Sequence, residues 1–285
     1  MPSVSKAQIA AITGTLLLIV LLFLANTRPP RKEELAVVQS SESALNIESA
    51  IAEAKASLQP GQRATIKELE TQFDHATTIQ KAALSDSLTK KWDAFQKPVA
   101  AAYYCEQKAV IYSTSDNWTT AGNRYFNTTR LIQPDKRNAL FQLAIRCFGK
   151  AVEINPGNTT AKINLAACYV EGTTDPMKGI SLLKEIEKTD SNNINLQLNF
   201  AAFSEKSGQF DKAIQRYNKV LKIDPGYIEA YLHLADAYEN KGDKPGAIES
   251  LEKYLSLVDD VTIKTEVKNY INKLSREDSS GEKQQ

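Results

Sequence analysis

At 285 residues the chain can hold one large domain or two ordinary ones, and its 35 Lys/Arg against 34 Asp/Glu leave a formal charge of only +1. That balance provides no general attraction to nucleic acid. Cys105, Cys147 and Cys168 are an odd count without paired or metal-ligand spacing, which speaks against a disulfide framework, and His75 and His233 are too few for a metal site.

After a short tail at 1–6, Ala7 to Ala25 is an apolar run long enough, at helical rise, to cross a bilayer. The stretch Phe23-Leu24-Ala25-Asn26-Thr27 lacks the small-x-small cut site of a secretory signal, so an uncleaved transmembrane helix over 7–25 is expected. Lys6 and the terminal amine precede the run, and Arg28, Arg31 and Lys32 lie just beyond it. The count leans the body toward the cytoplasmic side by one charge; a periplasmic or other extracytoplasmic body stays open. Residues 26–42 read as a juxtamembrane linker.

From 43 to 114 the chain reads as helix without a clear repeat. Ile47, Ile51, Ala54 and Leu58 make one apolar stripe, which Pro60-Gly61 breaks. Ile66, Leu69, Phe73 and Ala76 make a second, and Leu84, Leu88, Trp92 and Phe95 a third that ends near Pro98. Breaks at Pro60 and Pro98 argue against a coiled-coil stalk and favour divergent helical pairs that cap the rest of the chain. Val99, Tyr103 and Val110 suggest one more helix.

Between Ile194 and Asp259 the chain says nearly the same thing twice. Phe200 and Leu234, Ala201 and Ala235, Gly208 and Gly242, Ala213 and Ala247, Ile214 and Ile248 stand thirty-four residues apart, with Asp224-Pro225 between the copies. Small residues let two helices approach, larger ones three or four positions away fill the groove, and Gly208 and Gly242 supply a left-handed backbone where the first helix ends. This pattern resembles the tetratricopeptide repeat (TPR) family, with Tyr231, Leu234, Ala235, Tyr238, Ala247 and Leu251 in its consensus positions. Trp118-Thr-Thr-Ala121-Gly122-Asn-Arg-Tyr125 is similar to the opening of another unit, whose second helix carries Ala144, Phe148 and Ala151. Its surplus of about ten residues falls between Asn127 and Arg137, at the inner turn. A further unit has Leu165, Ala166 and Tyr169, then Gly179, Leu183 and Ile186. The resemblance implies an all-α, TPR-type α-solenoid of four units (115–158, 159–193, 194–227, 228–259) behind a single transmembrane helix. The stripe Val267, Tyr270, Ile271 and Leu274 implies a capping helix over 260–275, and the polar tail 276–285 is expected to be disordered.

No catalytic constellation emerges. Gly242-Asp-Lys-Pro-Gly246 lacks the Gly-Lys-Ser/Thr ending of a phosphate loop, and no cofactor or metal is implied. In the TPR family the first helix of each pair lines a concave groove. The resemblance therefore implies groove positions at Thr119, Asn123 and Asn127, then Ile163, Asn164, Ala167 and Val170. Asn195, Leu198, Ala202 and Glu205 come next in the third unit, and Glu229, Leu232, Asp236 and Glu239 in the fourth. Asn123 and Asn164 occupy the asparagine slots used to hold chaperone carboxylate tails, but the basic slots hold Thr119, Asn195 and Asn199, so that subtype is excluded. The expectation is a non-enzymatic, membrane-anchored scaffold binding protein or peptide partners, with self-association through the proximal helices left open. A chaperone-like biogenesis factor for membrane or exported proteins is the alternative, and an enzyme with a site in 33–112 a more distant one.

Overall fold

A computed structural model describes residues 46–281, with side chains through 276. The transmembrane helix expected over 7–25, together with the 1–6 tail and the 26–42 linker, lies outside the described residues, as do 282–285. Among the described residues no helix is long and apolar enough to cross a membrane, and there is no strand.

The described chain is helix throughout. It runs α1 (Ile47–Ala56), α2 (Pro60–His75), α3 (Thr78–Ala94), α4 (Pro98–Ile111), α5 (Ser115–Thr128), α6 (Pro134–Ile154) and α7 (Thr159–Gly172). It continues through α8 (Pro176–Thr189), α9 (Ile194–Lys206), α10 (Phe210–Ile223), α11 (Ile228–Lys241), α12 (Lys244–Leu257) and α13 (Val261–Gly281). Local chemistry sets the ends. Asn158, Asp175, Asn193 and Asp243 each accept an orphan N–H in the first turn of the helix they precede. Pro60, Pro98, Pro134 and Pro176 open their helices where a missing N–H costs nothing. Gly208 and Gly242, at φ +71° and +87°, end α9 and α11 in the left-handed region.

Consecutive helices pair as antiparallel hairpins, α5 with α6, α7 with α8, α9 with α10 and α11 with α12, each packed on the next. Close approach rests on small residues facing one another. Ala201 and Ala213 are fully buried in one cluster, Ala235 and Ala247 in the next. Gly179 lies so near α7 that a Cβ there would stand 2.3 Å from the Ala166 carbonyl oxygen. The surplus in the first unit forms the turn 129–133 and a longer α6, leaving Leu131 72% exposed.

The proximal helices continue the same construction. α3 and α4 form a hairpin packed on α5, in which the Thr89 hydroxyl donates to the Ala101 carbonyl at 3.4 Å. Thr89 and Ala101 are twelve residues apart, as are Ala201 and Ala213. Hydrogen bonds fasten this hairpin to its neighbour. Glu106 of α4, nearly buried, accepts from the Tyr125 hydroxyl at 2.7 Å and from Arg146 Nη2 at 2.5 Å. α2 is tied on through Tyr104, whose hydroxyl donates to Glu70 at 2.7 Å, and α1 packs on α4.

At the other end α13 covers the last hairpin with Val267, Ile271 and Leu274 against Ala235, Ala247 and Leu251. Tyr270, assigned to that apolar stripe from the sequence, is instead exposed, its hydroxyl donating to Glu239 at 2.6 Å. The helix runs six residues past 275, since neither Pro nor Gly interrupts the chain before Gly281.

Candidate ligand groove

The first helices of successive hairpins touch one another, α5 with α7 and α7 with α9, whereas no pair of second helices packs as closely among the described residues. The outward residues of the first helices are the candidate groove positions. Asn127, Asn195, Ala202, Glu229, Asp236 and Glu239 are exposed there, and Asn123, Asn164, Val170, Leu198, Glu205 and Leu232 are half-buried.

Three expected groove residues are not on its surface. Thr119 is 9% exposed; its hydroxyl donates to the Ser115 carbonyl and accepts from Asn158 Nδ2 at 3.1 Å. Ile163, at 1%, belongs to a cluster with Leu183, Ile186, Leu196 and Phe200, and Ala167 is 3% exposed. In this part of the solenoid α7 contacts α5 and α9 at once, which closes over the positions facing its neighbours. With Ile163 and Ala167 buried, the exposed candidate positions pass from amides to carboxylates.

The amide end is built by Asn164, whose Nδ2 donates to Asn123 Oδ1 at 2.7 Å across the α5–α7 contact. That bond fixes both side chains and leaves the Asn123 N–H groups and the Asn164 carbonyl available. At the acidic end Glu205, Asp236 and Glu239 come from α9 and α11. Burial pushes the carboxyl of Glu205 above its ordinary range and the nearby Asp236 adds to this, while Tyr217 and His233 oppose it. Asp236, exposed at its surface, is raised by partial desolvation from its neighbours and by Glu239, against His233. His233 is exposed and stacks on Tyr217 with ring centroids 5.4 Å apart. Tyr217, on a second helix, has no place in the groove pattern, and only the folded arrangement brings its hydroxyl within 2.9 Å of Glu205 Oε2. All three cysteines are unpaired; Cys147 and Cys168 are fully buried, and burial raises both thiols well above their usual range.

Models of the "TPR repeat" and "Tetratricopeptide repeat" families match residues 206–242 and 228–257. A protein from Arabidopsis thaliana, "Tetratricopeptide repeat domain-containing protein PYG7, chloroplastic", is 27% identical over 107 residues. The match spans 36% of this chain and 36% of that protein. A tetratricopeptide repeat protein from Parabacteroides merdae superposes with a TM-score of 0.55 at 14% identity, covering 81% of this chain and 87% of that one. MamA from Desulfovibrio magneticus RS-1 aligns at 0.45 and 18% identity over 62% of this chain and 94% of its own. Residues 206–257 are thus tetratricopeptide repeats, and the described chain is an all-α helical-repeat solenoid of the TPR type.

Proposed function

We propose that the chain is a non-catalytic scaffold, tethered to a membrane by Ala7 to Ala25, whose first-helix groove holds extended polypeptide segments rich in basic side chains. The observation that carries this reading is the Asn123–Asn164 pair. An extended peptide presents one N–H and one C=O per residue, and the pair offers one acceptor and one donor group already held in place. Half-buried Leu198 and Leu232 supply apolar contact beyond it, and Glu229, Asp236 and Glu239 supply negative charge at the far end. A tether would confine the groove to two dimensions and raise its effective concentration toward other membrane components, which suits assembly of a complex or the holding of a client. The one-charge margin around the apolar run supports a cytoplasmic body, and a reporter fused after Gln285 and active on one side only would test it.

The groove is tested by fluorescence anisotropy of labelled peptides of graded basic content against the full chain in detergent. Asn164→Ala should weaken every binder by roughly tenfold, about 1.4 kcal/mol. Charge reversal at Asp236 and Glu239 should weaken only the basic peptides. Unchanged affinity in both variants would refute the assignment.

A further inference from the structure

At the junction of the third and fourth hairpins, ionisable side chains from three helices meet. The Tyr217 hydroxyl of α10 donates to Oε2 of Glu205 on α9 at 2.9 Å. The other carboxylate oxygen of Glu205, Oε1, is buried without a hydrogen-bond partner. The Tyr217 ring lies flat on His233 of α11, with 11° between planes. Asp236, one helical turn on from His233, bears electrostatically on both Glu205 and Tyr217. Glu239 bears on Asp236 in turn, and its own carboxylate accepts from the Tyr270 hydroxyl of α13. His233 is the basic group that bears on both Glu205 and Asp236, lowering each against the effect of burial.

We infer that this junction is a proton-operated latch: proton uptake by the Glu205–Asp236 carboxyl pair tightens the third hairpin against the fourth, and proton loss loosens it. An ionised Glu205 keeps one oxygen dry and unpaired beside a second carboxylate, which is costly in both desolvation and like-charge repulsion. A proton on Glu205 or Asp236 removes one of those charges, and the Tyr217 ring stacked on His233 holds the three helices together around them. All these groups join α9, α10 and α11, so the benefit falls on the junction itself.

Both carboxyl groups titrate higher in the folded chain than in the unfolded one, and this sets the sign of the pH dependence. Their contribution is fully present below the unfolded carboxylate values of about 4 and is lost as the pH rises through the raised folded values. The junction is therefore tighter in mild acid than at neutrality.

The test compares melting of the full chain in detergent between pH 4.5 and pH 8 for wild type, Glu205→Gln and, as a control on an exposed second-helix carboxylate, Glu252→Gln. Glu205→Gln keeps the acceptor for Tyr217 and removes the charge. It should raise Tm by about 2–4 °C at pH 8, with the gain vanishing at pH 4.5, while the control shows no such difference. Amide exchange in α9 to α11 should slow in wild type on going from pH 8 to pH 5, after correction for intrinsic exchange. If Glu205→Gln lowers Tm at pH 8, or shifts it equally at both pH values, the latch is refuted. Should that variant fail to fold, Asp236→Asn reads the same comparison with the same outcomes. No ligand enters the measurement, so its result stands apart from the groove assignment.

Discussion

Gly179 shows what a helix interior gives up when its partner lies close. Replacing a mid-helix glycine with alanine normally stabilises by about 0.5–1 kcal/mol. Here the new methyl would stand 2.3 Å from a backbone oxygen, which cannot rotate away, so α7 and α8 would have to separate. Overpacking of this kind costs about 1–3 kcal/mol, so Gly179→Ala should lower the urea midpoint despite its better helix propensity. Gly242 differs: a Cβ there meets open space, and only the backbone at φ +87° objects. Gly242→Ala should cost about 1 kcal/mol, with Gly242→Asn losing less, as urea titrations of the variants would show.

Between elements, the Glu106 network fastens the α3–α4 hairpin to the first sequence-evident repeat. Its carboxylate is nearly buried, while Arg146 is more than half exposed, so solvent screens part of the attraction. Removing the carboxylate strands the Tyr125 hydroxyl in the core. Glu106→Ala should cost about 2–3 kcal/mol and Tyr125→Phe about 1 kcal/mol. The loss should be local, with amides of α3 and α4 exchanging faster in Glu106→Ala than those of α9 to α12. The sequence offered helical pairs here but hid the repeat-like register of this one, because Thr89 takes the position that alanine or glycine fills elsewhere, and α3 is longer than other first helices. The twelve-residue spacing from Thr89 to Ala101 was the available signal, recognisable once the two helices are seen in contact.

Across the whole solenoid each hairpin contacts its neighbours, so stability is a chain of junctions and the weakest one matters. Within the hairpins from α5 to α12, α8 and α9 approach over less of their length than any other consecutive helices. Arg216 of α10 compensates, pairing with Glu187 of α8, donating to Gln197 Oε1 of α9 at 2.8 Å, and stacking its guanidinium over Phe200 at 4.4 Å. Arg216→Ala should open this junction first, seen as accelerated exchange in α8 and α9 ahead of the other helices. The Arg216 hydrogen bond holds Glu187 below the usual carboxylate range. That contribution is present above an unfolded value of about 4.3 and is lost as the pH falls through the lower folded one. The two neighbouring junctions thus respond to acid with opposite sign. At the end of the array Leu274 is 2% exposed. Leu274→Asp should lift α13 and bare the Ala235–Leu251 face, giving self-association by sedimentation.

Residue order alone determined the helix pairs from Ser115 onward, because small residues at fixed spacing, helix-ending glycines and capping asparagines are local and recur. It also determined which residues could line a groove, since helical periodicity assigns a face. Only the tertiary structure decided which of them stay exposed: how near α5, α7 and α9 come to one another depends on every side chain between them, and that approach buries Thr119, Ile163 and Ala167 and joins Asn123 to Asn164. The junction of Glu205, Tyr217, His233 and Asp236 belongs to the same class, because residues that are distant along the chain share one electrostatic environment only after three helices have packed.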